Sequence, residues 1–132
     1  HFCWINNDKL ILTLANGPNG LGYYSMSIKD NIINQIEELK GNVLDGHPFY
    51  IEESNEIITD TTPDMFLDRH LFSYNLNTSK KMSLGKFYSP LKLVGKERCD
   101  LHPRASNRYV CIDSSHQGQR GLYVLKKRKE GI

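Results

Sequence analysis

The sequence predicts an all-β fold made of about three four-stranded, blade-like antiparallel sheets. Two observations support this prediction. Short apolar runs alternate with turn residues throughout the 132-residue chain, and helical periodicity is nearly absent. In addition, one unit recurs along the chain with a period of about 55 residues, which is the kind of internal repeat that characterises stacked architectures.

The predicted strands are rich in β-branched and aromatic residues, and clusters of Asn, Gly and Ser separate them. The clearest are residues 9–14, 56–59, 71–74, 109–112 and 122–125. Residues 32–39 leave two alternatives open, because Ile32, Ile36 and Leu39 share a helical face but the stretch is also short enough for an edge strand.

The repeat is best defined by a His-Pro pair followed by a strand that ends in aspartate. His47-Pro48 precedes Asp60, and His102-Pro103 precedes Asp113 at a nearly equal interval. A degenerate third copy opens the chain, with Cys3-Trp4 in place of His-Pro. The units therefore span residues of about 1–42, 43–96 and 97–132, within one domain of residues 1–132.

Each unit has the strand order of a four-stranded propeller blade. Such a blade cannot bury both faces alone and must stack on its neighbours. We therefore predict a partial β-propeller, the C-terminal fragment of a larger one, with a single β-sandwich as the alternative fold. An isolated arc exposes apolar faces and open edges, so the expected partners are the remaining propeller blades or a self-associating copy.

The last unit resembles the repeat of TolB-like (PD40-type) propellers. In that repeat a His-Pro pair precedes a Ser-Pro-Asp-Gly-like turn, an apolar strand and an Ile-Tyr strand. Here His102-Pro103 precedes residues 104–108, which replace the turn, and then residues 109–112 and 122–123. The unit is also similar, more distantly, to the C-terminal blades of oligogalacturonate lyases and of propellers associated with bacterial surface-polysaccharide genes.

The lyase resemblance implies a metal site. In the lyases a divalent metal such as manganese is held by histidines, one from an earlier blade and others from a Gln-x-x-His-Pro-His-Pro-like segment. By position, Glu97 corresponds to the glutamine, Asp100 to the first histidine and His102 to the second, and His47 is the candidate from the earlier blade. The set implies manganese or calcium, since carboxylates and imidazoles bind both hard and borderline cations.

A structural role for the same histidines is the competing hypothesis. His47 and His102 occupy equivalent positions in successive units, as do Asp60 and Asp113. A histidine bonded to the aspartate of its own blade would satisfy buried polar groups and lock each blade. Both roles are compatible if only one copy faces the channel.

Residues that do not repeat are the better candidates for substrate binding, because packing requirements alone would repeat. Residues 62–70 form a predicted loop that offers Asp64, Arg69 and His70, and His116 lies in the equivalent loop of the last unit. The alternative for residues 62–70 is a solvated loop with a local Asp68-Arg69 charge pair.

Arg104 directly follows His102-Pro103, and its guanidinium could bind a sugar carboxylate through two hydrogen bonds. The alternative is an ion pair with Asp100 or Asp113.

Composition excludes several other classes of function. A net charge of +2, from 17 basic and 15 acidic residues, provides no field for nucleic acid. No apolar run reaches the ~20 residues of a transmembrane helix. Three cysteines without CxxC spacing favour a reducing compartment, so a cytoplasmic location is expected over a periplasmic one.

Two functions follow from these observations. The first is a non-catalytic β-propeller module that binds a polysaccharide or a protein partner, in bacterial surface-polysaccharide assembly. The alternative is part of a metal-dependent, oligogalacturonate-type uronate lyase. The sequence favours the first, because half of the lyase metal motif is altered and no complete catalytic set is present.

Overall fold

A computed structural model describes residues 1–41 and 45–128 of the chain. Within them the protein is all-β, with three antiparallel sheets of four, four and three strands. This confirms the predicted fold class and matches a partial propeller. The predicted boundary between the first two units, at residues 42 and 43, lies outside the described residues.

The first sheet is a simple up-and-down arrangement in chain order. It contains β1 (Phe2–Trp4), β2 (Lys9–Gly17), β3 (Gly20–Ser27) and β4 (Ile32–Gln35). The ambiguous stretch of residues 32–39 is thus an edge strand followed by a 3₁₀ turn, Glu37–Leu39.

The second sheet repeats this order. It contains β5 (Phe49–Ile51), β6 (Glu56–Asp60), β7 (Asp68–Asn75) and β8 (Lys80–Tyr88). Strand β7 begins earlier than the sequence suggested, so the predicted loop of residues 62–70 ends before position 68.

The third sheet has three strands in the described part of the chain. A 3₁₀ turn, Gly95–Glu97, precedes β9 (Arg104–Ala105), β10 (Tyr109–Ser114) and β11 (Gly121–Lys126). Strand β11 therefore forms an edge where the other two sheets have a fourth strand.

The sheets stack through their faces, and the middle sheet is buried on both sides. Its neighbouring residues Ile57 and Ile58 point to opposite faces, as successive residues of a strand must, and neither is exposed. Ile57 packs in an apolar cluster with Ile11 and Tyr23 of the first sheet. Ile58 packs in a second cluster with Val110 of the third sheet. Each such buried side chain contributes about 1.5–3 kcal/mol.

The innermost strands of the three sheets adjoin, since β5 contacts both β1 and β9. This arrangement matters for function because it brings the residues that precede β1, β5 and β9 to one place.

The two outer faces of the stack carry exposed apolar side chains. Phe2 and Trp4 are 61% and 51% exposed on the first sheet, and Leu122 and Val124 are 70% and 65% exposed on the third. Large exposed apolar groups at the two ends fit an arc that continues into further blades or a second copy. That partnership stays a prediction. No helix in the described residues is long and apolar enough to span a membrane.

Candidate functional site

Three histidine rings lie against one another where the inner strands begin, with neighbouring ring planes tilted by 49° and 42°. The ring centroid of His47 lies 4.0 Å from that of His1 and 3.9 Å from that of His102. His47 and His102 each lie two residues before their strands, β5 and β9, and His1 directly precedes β1. Because the inner strands lie side by side, the histidines that precede them form one cluster although they are far apart in sequence.

Asp60, at the end of β6, holds His47 in this cluster. Its side chain is 1% exposed, and its Oδ1 accepts a 2.6 Å hydrogen bond from the backbone N–H of His47. The Nδ1 atom of His47 lies 3.0 Å from both carboxylate oxygens. With Nδ1 donating to Asp60, the lone pair of the His47 ring is on Nε2, which leaves that atom available to a ligand.

The chain approaches Asp60 so closely that only glycine fits at position 46. A Cβ atom there would overlap the Tyr23 hydroxyl and the backbone carbonyl of Asp60. Gly46 thus allows the segment before β5 to lie against β6 and present the His47 N–H to the carboxylate.

His102 has an unusual backbone. Its φ of 42° lies in the left-handed region that non-glycine residues seldom adopt. Its N–H donates to Oδ2 of Asp60 at 3.2 Å, and its ring Nδ1 is 3.3 Å from the carbonyl oxygen of Asp100. Such backbone conformations persist only where surrounding contacts hold them, and they are concentrated at binding and active sites.

Asp100 lies between two arginines. Its Oδ1 is 2.8 Å from Nη2 of Arg69, and its Oδ2 is 3.1 Å from Nε of Arg98. Burial alone would raise the pKa of Asp100, but the charge of Arg69 and the hydrogen bond and charge of Arg98 outweigh it and hold that pKa below its usual range.

His47, Asp100 and His102 form a group that could hold a cation. Their potential ligand atoms all lie within 4.8 Å of one another. That separation is about twice a 2.4 Å metal–ligand bond, so a cation between them needs only small side-chain movements. Two imidazoles and one carboxylate suit first-row divalent metals and leave coordination positions open.

Glu97, the fourth residue of the implied metal set, is not part of this group. It ends the 3₁₀ turn Gly95–Glu97 and is exposed. Arg98 rather than Glu97 reaches Asp100. The structure therefore brings three of the four candidates together.

The predicted blade lock holds in one unit and differs in the other. His47 bonds Asp60 of its own unit, as expected. The backbone of His102, however, also bonds Asp60, rather than Asp113 of its own unit. One aspartate therefore serves two units.

The predicted substrate residues of the middle unit lie partly in a strand. Arg69 and His70 belong to β7 and not to a loop. Arg69 is buried, with Nη1 3.4 Å from the carbonyl oxygen of Thr61, and its ion pair with Asp100 makes it part of the cluster's foundation. His70 Nε2 is 2.7 Å from Asp64 Oδ2, away from the histidine cluster, in a separate cavity that also contains Lys81.

His116 and Arg104 have structural partners. His116 Nδ1 is 2.7 Å from Ser114 Oγ, and the ring packs against Phe87 and Tyr123. Arg104 lies over the Phe49 ring, and its Nη1 donates to the carbonyl of Pro103. It pairs with neither Asp100 nor Asp113, the partners that the sequence suggested, because its guanidinium is turned towards β5.

Three residues of the cluster, His1, Asp45 and Arg98, were not among the candidates predicted from the sequence. The predicted register placed Cys3-Trp4 at the repeat position, whereas His1 supplies the third ring. His1 Nε2 is 3.2 Å from Asp45 Oδ2, a residue just before the second repeat. The sequence does contain a signal for the Arg98–Asp100 contact, because a basic residue two positions before an aspartate predicts a local ion pair.

Comparisons with protein-family models, with curated proteins and with solved structures find no match to this chain.

Proposed function

We propose that this chain is part of a TolB-like β-propeller, a non-catalytic module that binds a divalent cation at His47, Asp100 and His102 and, through that cation, an acidic saccharide. The observation that carries the proposal is the convergence of the two imidazoles and the carboxylate within 4.8 Å. Two units far apart in sequence supply these groups, and the side-by-side packing of their inner strands brings them together.

The support around the ligands favours metal binding. A metal-ligating histidine usually donates its second ring N–H to a carboxylate, which fixes its orientation and raises its basicity. Asp60 gives His47 that support and also holds the backbone of His102. The site is thus held by a buried group that is not itself a ligand.

The electrostatics of Asp100 also fit. A carboxylate must be ionised to bind a cation, and the neighbouring arginines keep the pKa of Asp100 low. The same arginines occupy its two oxygens, so a cation must replace one of them. Arg98 is the exposed partner of the two, and its displacement costs the least burial.

An acidic saccharide suits a cation with open coordination positions. A bound divalent ion would attract a sugar carboxylate and polarise it. The arginines beside the cluster add positive charge at short range.

A manganese titration measured by isothermal calorimetry tests the proposal. We expect one manganese ion per chain and an affinity at least 10-fold lower in His102→Ala, with calcium bound more weakly because imidazole is a poor ligand for it. His116→Ala is the matched control, since this ring also has a hydrogen-bond partner but lies outside the cluster. Thermal melting of each variant separates lost binding from lost folding. Equal manganese affinity in both variants would contradict the proposal.

A second candidate function is part of a metal-dependent uronate lyase, and the convergence of His47 and His102 favours it as well. In that case a metal held by His47, Asp100 and His102 would acidify the proton beside the sugar carboxylate. A base would remove that proton, and the electron pair would form the new C=C bond as the glycosidic oxygen leaves the neighbouring carbon. Incubation with oligogalacturonate and manganese distinguishes the two, because elimination creates an unsaturated sugar that absorbs ultraviolet light. Binding without this product supports the non-catalytic module.

A further inference from the structure

A second, more open cleft lies directly beside the histidine cluster. It has a volume of about 540 Å³ and shares Asp100 and His102 with the cluster. Its other charged residues are Lys96, Arg98 and Arg120, together with Asp113. None of these four belongs to the candidate sites predicted from sequence.

We propose that this cleft binds an oxyanion, that the anion loads after the cation, and that Arg98 couples the two events. The inference rests on the proposed cation site. It follows from the difference between the two arginines on Asp100.

Arg69 and Arg98 hold Asp100 in different ways. Arg69 is buried, and besides Asp100 it is 3.4 Å from both the Thr61 carbonyl and Ser89 Oγ. Arg98 has a side chain that is 63% exposed and contacts Asp100 from the cleft side. A cation that takes one oxygen of Asp100 therefore releases Arg98, because Arg69 is anchored at three points.

The net charge of the cleft becomes more positive when a cation binds Asp100. Without a cation, three cationic side chains face two carboxylates. With a divalent cation on Asp100, that carboxylate is neutralised and only Asp113 opposes the cationic groups. An anion entering the cleft then meets a stronger positive potential.

The released guanidinium determines which anions bind. A planar guanidinium donates two parallel hydrogen bonds to a carboxylate, a sulfate or a phosphate. Lys96 and Arg120 supply further charge from the other sides of the cleft. The ligand class is thus an oxyanion, present either on an acidic sugar or as a free inorganic ion.

Calorimetry with the full chain tests the coupling. Galacturonate, galactose and inorganic sulfate are each titrated into the protein with and without saturating manganese. We expect galacturonate to bind at least 10-fold more tightly with manganese present, and galactose to show no such gain. Sulfate binding with the same gain assigns the cleft to oxyanions in general, whereas its failure to bind assigns the cleft to the sugar carboxylate. By linkage, galacturonate must raise the manganese affinity by the same factor.

Variants of Arg98 provide the decisive comparison. With saturating manganese, Arg98→Gln should weaken galacturonate binding at least 10-fold, because it removes the guanidinium that binds the carboxylate. The manganese affinity of the same variant, measured without galacturonate, should rise, because the variant removes a competitor for Asp100. Arg108→Gln, at an exposed arginine that lines a different cavity, is the matched control and should change neither affinity.

The possible failures are distinguishable. Manganese binding with an unchanged galacturonate affinity overturns this inference and leaves the proposed function standing. No manganese binding by the wild-type protein overturns the proposed function and, with it, the order of loading. Galacturonate binding that is insensitive to Arg98→Gln, with manganese bound, removes Arg98 from the site.

Discussion

The carboxylate of Asp60 accepts a hydrogen bond from the backbone N–H of His102, which lies 42 positions later in the chain and in the next sheet. The same carboxylate accepts from the backbone N–H and lies 3.0 Å from the ring nitrogen of His47. One buried group thus fixes two histidines of the candidate site, and its removal should affect both folding and binding.

Asp60→Ala should lower the free energy of unfolding by about 3 kcal/mol, because it leaves two part-buried N–H groups and an imidazole without their acceptor. Asp60→Asn should lose less, since one oxygen acceptor remains. Urea unfolding of both variants measures the difference. Asp113→Ala, at the equivalent repeat position, is the control and should change stability by less than about 1 kcal/mol. Equal losses at positions 60 and 113 would show that each aspartate locks its own unit after all.

Gly46→Ala should destabilise the protein by about 2–3 kcal/mol, because the added Cβ meets the backbone carbonyl of Asp60, which cannot move aside as a flexible side chain could. The shift should also weaken manganese binding, since Gly46 positions His47. Thermal unfolding and calorimetry measure the two effects, with Glu53→Ala at an exposed position as the control. A variant that is as stable as the wild type would mean that the turn before β5 can relax outward.

Tyr23 and Thr59 connect the first and second sheets through a buried hydrogen bond of 2.5 Å between their hydroxyl oxygens. Burial raises the pKa of Tyr23 far above its usual value, so the phenol stays neutral across the working range. Tyr23→Phe should cost about 1–2 kcal/mol, and in a double-mutant cycle with Thr59→Val the two effects should not add. Additive losses would indicate that the two hydroxyls do not interact.

The fold could be predicted because its signals are local and periodic. Short apolar runs bounded by turn residues identify strands β2, β6 and β10, and the repeated His-Pro pairs reveal the stacked units. Ile57 and Ile58 show how this works, since two adjacent apolar residues in a strand imply that both faces of its sheet are covered.

The site was only partly predictable, because its geometry depends on how units stack and not on how each is built. The repeat predicted a bond between His102 and Asp113, but the segment before β9 lies against the end of β6, so that the backbone of His102 bonds Asp60 instead. His1 was missed for a similar reason, since only the proximity of β1 and β5 places its ring on His47. Position-by-position resemblance placed Asp100 at a ligand position, and no local pattern linked it to Arg69, 31 positions away in chain order and in another sheet.

Asp64 should make stability depend on pH in the acid range. The hydrogen bond from His70, followed by that from the Asp68 backbone, lowers the pKa of Asp64 below its ordinary value. Since the pKa is lower in the folded state, the stabilisation is present above about pH 4 and is lost as the pH falls through the folded-state pKa. The difference in urea midpoint between wild type and Asp64→Asn should therefore be largest near pH 6 and shrink below pH 4. A constant difference, or the same profile in the exposed control Glu53→Gln, would contradict this assignment.

The three cysteines should differ sharply in reactivity. Burial raises the pKa of Cys3 to about 12 and also raises that of Cys99, whose side chain is almost fully buried. At pH 8 only about 1 in 10,000 Cys3 side chains is then a thiolate, the form that reacts. Cys111 is half-buried on β10 at the outer sheet. We expect a thiol reagent to label one cysteine quickly in the native protein and all three in urea, and Cys111→Ser to abolish the fast phase. Rapid labelling of all three in the native state would show that the first and third sheets open at these positions.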